Sequence, residues 1–291
     1  MITTLKSGKK EVRIGIDRPF VMIGEKINPT GHKKLAAALT EGSFDYVREI
    51  AERQVAWGAD VLDVNVGVPG IDEPAVIKKV VELVTSVVDV PLCIDSGNPE
   101  VLSAGLAAAP GKPLVNSVSG EERRLESVLP LVRERGAAVI GLTMDDSGIP
   151  KTPEERVAVA EKILERAAKF GIPAEDVVID PLVLTVGSES KAGLVTLQTI
   201  ELLRKNLGVN VNLGASNVSF GLPDRPSVNQ AFLAMTIQAG ATCAITDPVK
   251  LGAAIRASDL LLGRDDYAMR YIKYFRNAEA LREKENPPSP A

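Results

Sequence analysis

Carboxylates and amides recur at one kind of place along this chain, the ends of short apolar runs. IGEKIN carries Glu25 and Asn28, LDVNVG carries Asp63 and Asn65, and CIDS and VNS carry Asp95 and Asn116. Further along come Asp180 in IDPLVL, Ser216 and Asn217 in GASNVS, and Asp247 in AITDP. Lys26 is the only cation among these ends. Such a set accepts and donates hydrogen bonds without a positive clamp, so it suits a ligand rich in donors and without phosphate at its centre. A 2-amino-4-oxo-pyrimidine ring is one, because its N–H and NH2 form a fork that a carboxylate accepts with both oxygens. Sugars and enolates use similar groups, so residue types alone leave the ligand open. Each position taken singly also has a plainer role as a helix cap or loop tie, and Asp72 and Asn98 are read only that way.

Counting narrows the chemistry further. The 291 residues include a single histidine, His32, and two cysteines, Cys93 and Cys243. A Ser-His-Asp triad would have to use His32, and zinc sites built from His and Cys lack ligands, so no metal site is expected. Both cysteines lie in apolar runs and read as buried small hydrophobes, which fits a reducing compartment. With 34 basic and 38 acidic residues and no basic cluster, nucleic-acid binding is not expected. No apolar run approaches the roughly 20 residues that span a bilayer, and MITTLKSGKK is not an export signal. The expectation is a cytoplasmic protein with no membrane contact.

The elements that must position these groups follow from the period of the pattern. Eight short β-rich runs, FVMIGEKIN, DVLDVNVG, PLCIDS, PLVNSVS, AAVIGLTM, VVIDPLVL, VNVNLGASN and TCAITDP, alternate with amphipathic stretches such as PAVIKKVVELVTSVV. KTPEERVAVAEKILERAAKFG has Thr152 as cap, Pro153 in the first turn, Glu155 to complete a capping box and Gly171 as stop. Eight strand–helix units in series predict a parallel sheet closed into an α/β (β/α)8 TIM barrel, which holds its reactive groups at the C-terminal strand ends. A doubly wound open sheet is the alternative, but no GxGxxG follows the first strand. The expected organisation is an N-terminal hairpin over 1–19, read from EVRIGI and DRP and closing the barrel bottom, the barrel over 20–265, a C-terminal helix over 266–284 and a disordered tail over 285–291. With only 4% aromatic residues, the core must be aliphatic.

In order, IGEKIN, LDVNVG, CIDS, VNS, IGLTM, IDPLVL, GASNVSFGLPDRP, FLAM and AITDP resemble the pterin-binding methyltransferases. That family moves a methyl group between tetrahydrofolate and a corrinoid protein, and includes the folate domain of cobalamin-dependent methionine synthase. The resemblance covers residues 20 to 265 and implies a dihydropteroate-synthase-like barrel. It implies tetrahydrofolate or methyltetrahydrofolate as substrate, a corrinoid carried by a partner protein that docks at the barrel mouth, and a homodimer. Asp180 would accept from the pyrimidine N3–H and 2-amino group, and Asp95 and Asn116 would bond the other ring nitrogens. Asn217 would reach N5 and Arg225 would lie near the aminobenzoyl-glutamate arm. Glu25, Asp63, Asn65, Ser216 and Asp247 are carried only as mouth residues. Phe220 stands where some relatives have a glutamine that touches the folate.

On that footing Asn217 is the catalytic residue. The nitrogen that loses a methyl must gain a hydrogen bond or proton, and a neutral amide can donate or accept as N5 changes state. Three other readings are weighed. Dihydropteroate synthases share the fold, but they resemble one another in a Ser-Arg-Lys run and an Arg-x-His that serve a pyrophosphate. Ser216-Asn217-Val218 and Thr246-Asp247-Pro248 stand in those places here. A folate-binding barrel without catalysis would not need Asn217. A lyase or aldolase would need a Schiff-base lysine, for which Lys26 is the only candidate, read otherwise as a surface or salt-bridged lysine. Nor does Thr30-Gly31-His32-Lys33-Lys34 match the Asp-x-His-x-x-Gly of a corrinoid-binding domain.

Overall fold

The computed structural model describes residues 1–285, so the expected tail lies, apart from Glu285, outside the described residues. A two-stranded antiparallel hairpin, β1 (Thr3–Lys6) and β2 (Glu11–Ile14), precedes an eight-stranded parallel sheet. The sheet runs β3 (Val21–Ile27), β4 (Val61–Val64), β5 (Leu92–Asp95), β6 (Leu114–Ser119), β7 (Ala138–Leu142), β8 (Val177–Asp180), β9 (Asn210–Val211) and β10 (Cys243–Thr246). Neighbours follow chain order, and β10 pairs with β3. On the other side, Thr242 N donates to Val211 O at 3.0 Å and Ile245 N to Leu213 O at 2.9 Å, which closes the barrel. The closed (β/α)8 barrel of the sequence reading is the observed fold.

Helices pack outside: α1 (Lys33–Glu41), α2 (Asp45–Ala56), α3 (Glu73–Val87), α4 (Pro99–Ala108), α5 (Glu122–Arg135), α6 (Pro153–Lys169), α7 (Ala192–Leu202), α8 (Arg225–Ala239), α9 (Pro248–Leu261) and α10 (Met269–Glu285). Their starts are written locally. Asp72 and Asn98 accept from Ala75 N and Glu100 N as caps, and Thr152 with Glu155 forms the reciprocal box.

Alternation along each strand sorts the chain into two cores. Met22, Leu62, Ile94, Val115, Val139 and Ile179 face the helices, whereas Val21, Ile23, Val61, Cys93, Leu114, Ile140, Val178 and Cys243 fill the barrel. Leu5, Val12 and Ile14 of the hairpin join this inner cluster. The hairpin therefore plugs the N-terminal ends of the strands, and Asn210 Nδ2 ties it there through Thr3 Oγ1 at 2.9 Å and Ile14 O at 3.0 Å.

Two local expectations change. The hairpin's turn is at residues 7–10, with Thr3–Lys6 as the first strand. Asp17-Arg18-Pro19 instead follows β2, where Arg18 N bonds Gly15 O at 3.1 Å. The seventh barrel strand is also short. Its ladder covers Asn210–Val211, and Ala215–Ser219 winds into a 3-10 turn. Asn217 thus rides on that turn and not on a strand end.

Candidate functional site

Above the apolar plug, the inner positions turn polar. Two residues beyond Val61, Cys93, Leu114 and Val178 on the same face stand Asp63, Asp95, Asn116 and Asp180, and Glu25 follows Ile23 in the same way. The polar layer lies at the C-terminal strand ends because the inward columns of β3, β4, β5, β6 and β8 end in a polar side chain, while those of β7 and β10 end in Leu142 and Ile245. Glu25, Asp63, Asp95, Asn116, Asp180, Ser216, Asn217 and Arg225 all line one cleft of about 560 Å³. Asn65 and Asp247 do not line it. Asn65 Nδ2 donates to Asp95 Oδ2 at 2.9 Å, so it acts on the cleft through Asp95. Asp247 caps α9 through Val249 N at 3.0 Å and lines a smaller adjoining pocket shared with Glu25, Lys26, Ser216 and Arg225.

Asp180 is the most fully held acid. Its Oδ1 accepts from Leu182 N at 2.8 Å and its Oδ2 from Asn212 Nδ2 at 2.8 Å. Leu182 has φ 62, the left-handed region that costs a side-chain-bearing residue roughly 1 kcal/mol, and this turn aims its N–H at the carboxylate. Arg156, buried at the start of α6, donates to Pro181 O at 2.8 Å and Leu182 O at 2.9 Å and locks the turn from behind. Burial pushes the Asp180 carboxyl up to about 6, against the Leu182 amide, Asn212 and Arg156, which pull it down.

Asp63 and Asp95 form a second acidic group. Burial, and then the neighbouring Asp95, push Asp63 well above the usual carboxylate range. Burial also raises Asp95, opposed by hydrogen bonds with Asn65 and Asp63. The upward push is the stronger at Asp63, which is the deeper of the two. Asn116 Nδ2 donates to Asp63 Oδ1 at 3.2 Å, which leaves its carbonyl oxygen for a ligand.

The cations at the mouth are tied up by the protein. Lys26 Nζ sits 3.0 Å from Glu25 Oε1 and 3.1 Å from Asp247 Oδ2. Burial alone would lower the pKa of Lys26, but the two carboxylates outweigh it and raise it. It is the salt-bridged lysine of the plainer reading, too firmly protonated to attack a carbonyl. Arg225 Nε donates to Ser219 Oγ at 3.0 Å and Nη2 to Ser216 O at 2.9 Å, which folds it back onto the 3-10 turn.

Asn217 is exposed on the rim. Its backbone N and O bond Gly214 O and Phe220 N, each at 3.2 Å, while its side-chain amide has no hydrogen-bond partner among the described residues. It caps no helix. A Cβ on Gly214 would stand 3.1 Å from the amide nitrogen and displace it by a few tenths of an ångström.

Two supports escaped the sequence reading, Asn212 and Arg156. Asn212 had a visible signal: Asn210 and Asn212 alternate in VNVN and so share the inner face. His32 and Phe220 also line the cleft. Among the described residues, no group of three or more His, Cys, Asp and Glu side chains is set to hold a metal ion, and no helix is long and apolar enough to cross a membrane.

Solved structures with this arrangement of strands and helices include dihydropteroate synthases. The Xanthomonas albilineans enzyme with 6-chloroguanine and indole-2-carboxylic acid has a TM-score of 0.67 at 22% identity, covering 92% of this chain and all of that one. The Yersinia pestis enzyme with a pterine–sulfa conjugate has a TM-score of 0.68 at 18% identity, covering 90% of this chain and 99% of that one. These likenesses speak for the fold alone. In sequence, the chain is 34% identical over 268 residues to a methylcorrinoid:tetrahydrofolate methyltransferase of Eubacterium limosum, across 89% of this chain and 97% of that protein. It is 34% identical over 244 residues to methionine synthase of Mycobacterium leprae, of which it spans 20%. Residues 24–247, which hold every cleft acid and amide described above, match the family model of pterin-binding enzymes, and the chain belongs to that family.

Proposed function

We propose that the chain transfers a methyl group between N5 of tetrahydrofolate and the cobalt of a corrinoid carried by another protein, in either direction. The observation that carries this reading is the convergence of Asp95, Asn116 and Asp180 on one cleft whose lysine is already paired with two carboxylates, with the unpartnered amide of Asn217 at its rim. The likeness of nearly the whole chain to a methylcorrinoid:tetrahydrofolate methyltransferase supports it.

In this account Asp180 accepts the forked N3–H and NH2 of the pterin, with Leu182 and Asn212 fixing its oxygens. Asp95 and Asn116 take the remaining ring nitrogens, and Asn65 and Asp63 hold those two in register. The corrinoid supplies the cobalt that takes or gives the methyl. When the methyl leaves N5, its C–N bond electrons stay on nitrogen and a proton must arrive. Asn217 donates to N5 as that lone pair develops, and the proton itself comes from solvent at the rim. In reverse, the neutral N5 lone pair attacks the methyl and Asn217 accepts from the N5 proton before it leaves. Such assistance contributes about 10²–10⁴-fold. A carboxylate in its place could not donate to N5 when ionised, whereas the neutral amide can both donate and accept.

The partner protein docks at the mouth, because cobalt must come within bonding reach of the N5 methyl. Cytoplasmic residence is in keeping with two free, buried cysteines. A homodimer is supported by Leu261, Tyr267, Met269 and Ile272, apolar and exposed around the junction of α9 and α10. The functional unit is the barrel over 20–265, with the hairpin over 1–19 as its floor and the helix over 266–284 outside it. Calorimetric titration with tetrahydrofolate tests the site: one molecule per chain is expected. No binding, together with condensation of dihydropterin pyrophosphate and p-aminobenzoate, would replace this reading with the synthase.

A further inference from the structure

Phe220 is the one Phe, Tyr or Trp side chain among the residues that line the cleft, and it is 66% exposed. Its backbone is nonetheless held on both sides. Its N–H donates to Asn217 O at 3.2 Å, and its carbonyl accepts from Thr185 Oγ1 at 2.7 Å. The same two loops are stitched by Val186 N donating to Val218 O at 3.0 Å. The Arg225 guanidinium lies 5.3 Å from the ring centroid and is itself held by Ser216 and Ser219. One face of the ring is therefore backed by a fixed cation, and a scattered surface phenylalanine has no need of such support.

The ligand's shape says what meets the other face. With the pterin edge on Asp95, Asn116 and Asp180 at the floor, its substituent must leave through the rim. The first rigid group of that substituent in a folate is a flat arylamine ring. We propose that Phe220 is the platform on which the p-aminobenzoyl ring of the folate packs, so that it selects the whole folate over a bare pterin. This rests on the folate reading of the cleft. It assigns the arm to the phenyl ring and leaves Arg225 as the group that backs that ring. The phenyl ring is largely preorganised, since Phe220 has only two side-chain torsions and its backbone is bonded at both N and O. Stacked or edge-on aromatic pairs at such a site add affinity beyond the area they cover.

The test is calorimetric titration of the wild type, Phe220→Ala and Phe220→Trp with tetrahydrofolate and with 6-methyltetrahydropterin, which lacks the arm. Phe220→Ala is expected to weaken tetrahydrofolate about tenfold while leaving the bare pterin unchanged, and Phe220→Trp to keep both affinities. An equal loss for both ligands would make Phe220 a support of the loop, and no loss for either would remove it from the site; both overturn the proposal. Unchanged folate affinities with a raised KM for the corrinoid protein would assign the ring to the partner's docking surface, and would also overturn it. If the wild type binds neither ligand, the folate reading falls first and takes this proposal with it. If the wild type binds the bare pterin as tightly as the folate, only the platform falls.

Discussion

Asn212 Nδ2 donates to Asp180 Oδ2 across a 2.8 Å bond between neighbouring barrel strands, and neither side chain has more than 6% of its surface exposed. One oxygen of this acid is thus fixed by a residue that does not itself line the cleft. Replacing Asn212 with Ala should weaken folate binding roughly tenfold, the equivalent of losing about 1.4 kcal/mol of a charge-assisted bond. It should also move the acid limb of the binding profile to higher pH, because the amide is one of the groups that lowers the Asp180 pKa. A binding titration repeated across pH reads both effects, and an unmoved limb would make Asn212 a mere space-filler.

Asp180→Asn should abolish tight folate binding and leave the fold intact. The fork of two donors would then face an amide NH2, with a loss of about 1.5–3 kcal/mol. Thermal unfolding should show no loss of stability at pH 7 to 8, because the substitution removes a buried charge.

The pH dependence follows with a definite sign. The Asp180 carboxyl is raised from the ordinary 3.8 to about 6. In the empty protein the folded state therefore holds more protons than the unfolded chain between those values. The stability linked to Asp180 is full below pH 3.8 and is lost as pH rises through 6. Ligand binding runs the other way, because the fork needs the carboxylate. Affinity should be flat above about pH 7 and fall by up to about tenfold per unit below pH 6, with a proton released on binding there. Calorimetry in buffers of different ionisation enthalpy measures that proton, and no proton release near pH 6 would contradict the role given to Asp180.

Much of this site was legible before the fold was known, because strand alternation is a strict rule. Once Asp63, Asp95, Asn116 and Asp180 are seen to follow apolar residues at spacing two, their convergence follows from barrel closure. The caps at Asp72, Asn98 and Thr152 were readable for the same reason, being settled within four residues. Arg156 was not, since EER at a helix start looks solvated and only the turn after β8 gives its guanidinium carbonyls to bond. Asn65 was placed with the mouth residues and instead holds Asp95 by its side, a distinction that depends on side-chain direction after the strand has ended. The short ladder of β9 also left no signal, because VNVNLGASN keeps its apolar alternation past the point where the chain winds into a 3-10 turn.

Asn217→Ala should lower kcat as well as kcat/KM, because the amide is needed most as charge develops at N5. Asn217→Asp should not restore the rate fully, since an ionised carboxylate cannot donate. Steady-state kinetics at saturating folate separate the roles: a raised KM with wild-type kcat would reduce Asn217 to a binding contact.

The purified chain should contain no cobalt and should turn over only when a corrinoid is supplied. Metal analysis and an assay with the corrinoid left out check this, and stoichiometric cobalt retained by the chain alone would contradict it. Sedimentation equilibrium tests the dimer separately.

The most direct measurement mixes the protein with methyltetrahydrofolate and reduced free cobalamin under anaerobic conditions and follows the visible spectrum. The account predicts conversion to methylcobalamin with one tetrahydrofolate formed per methyl moved, and loss of that conversion in Asp180→Asn. A wild-type protein that binds methyltetrahydrofolate yet leaves the cobalamin spectrum unchanged, both with free cobalamin and with a corrinoid protein, would show a folate-binding barrel without methyl transfer and contradict the account.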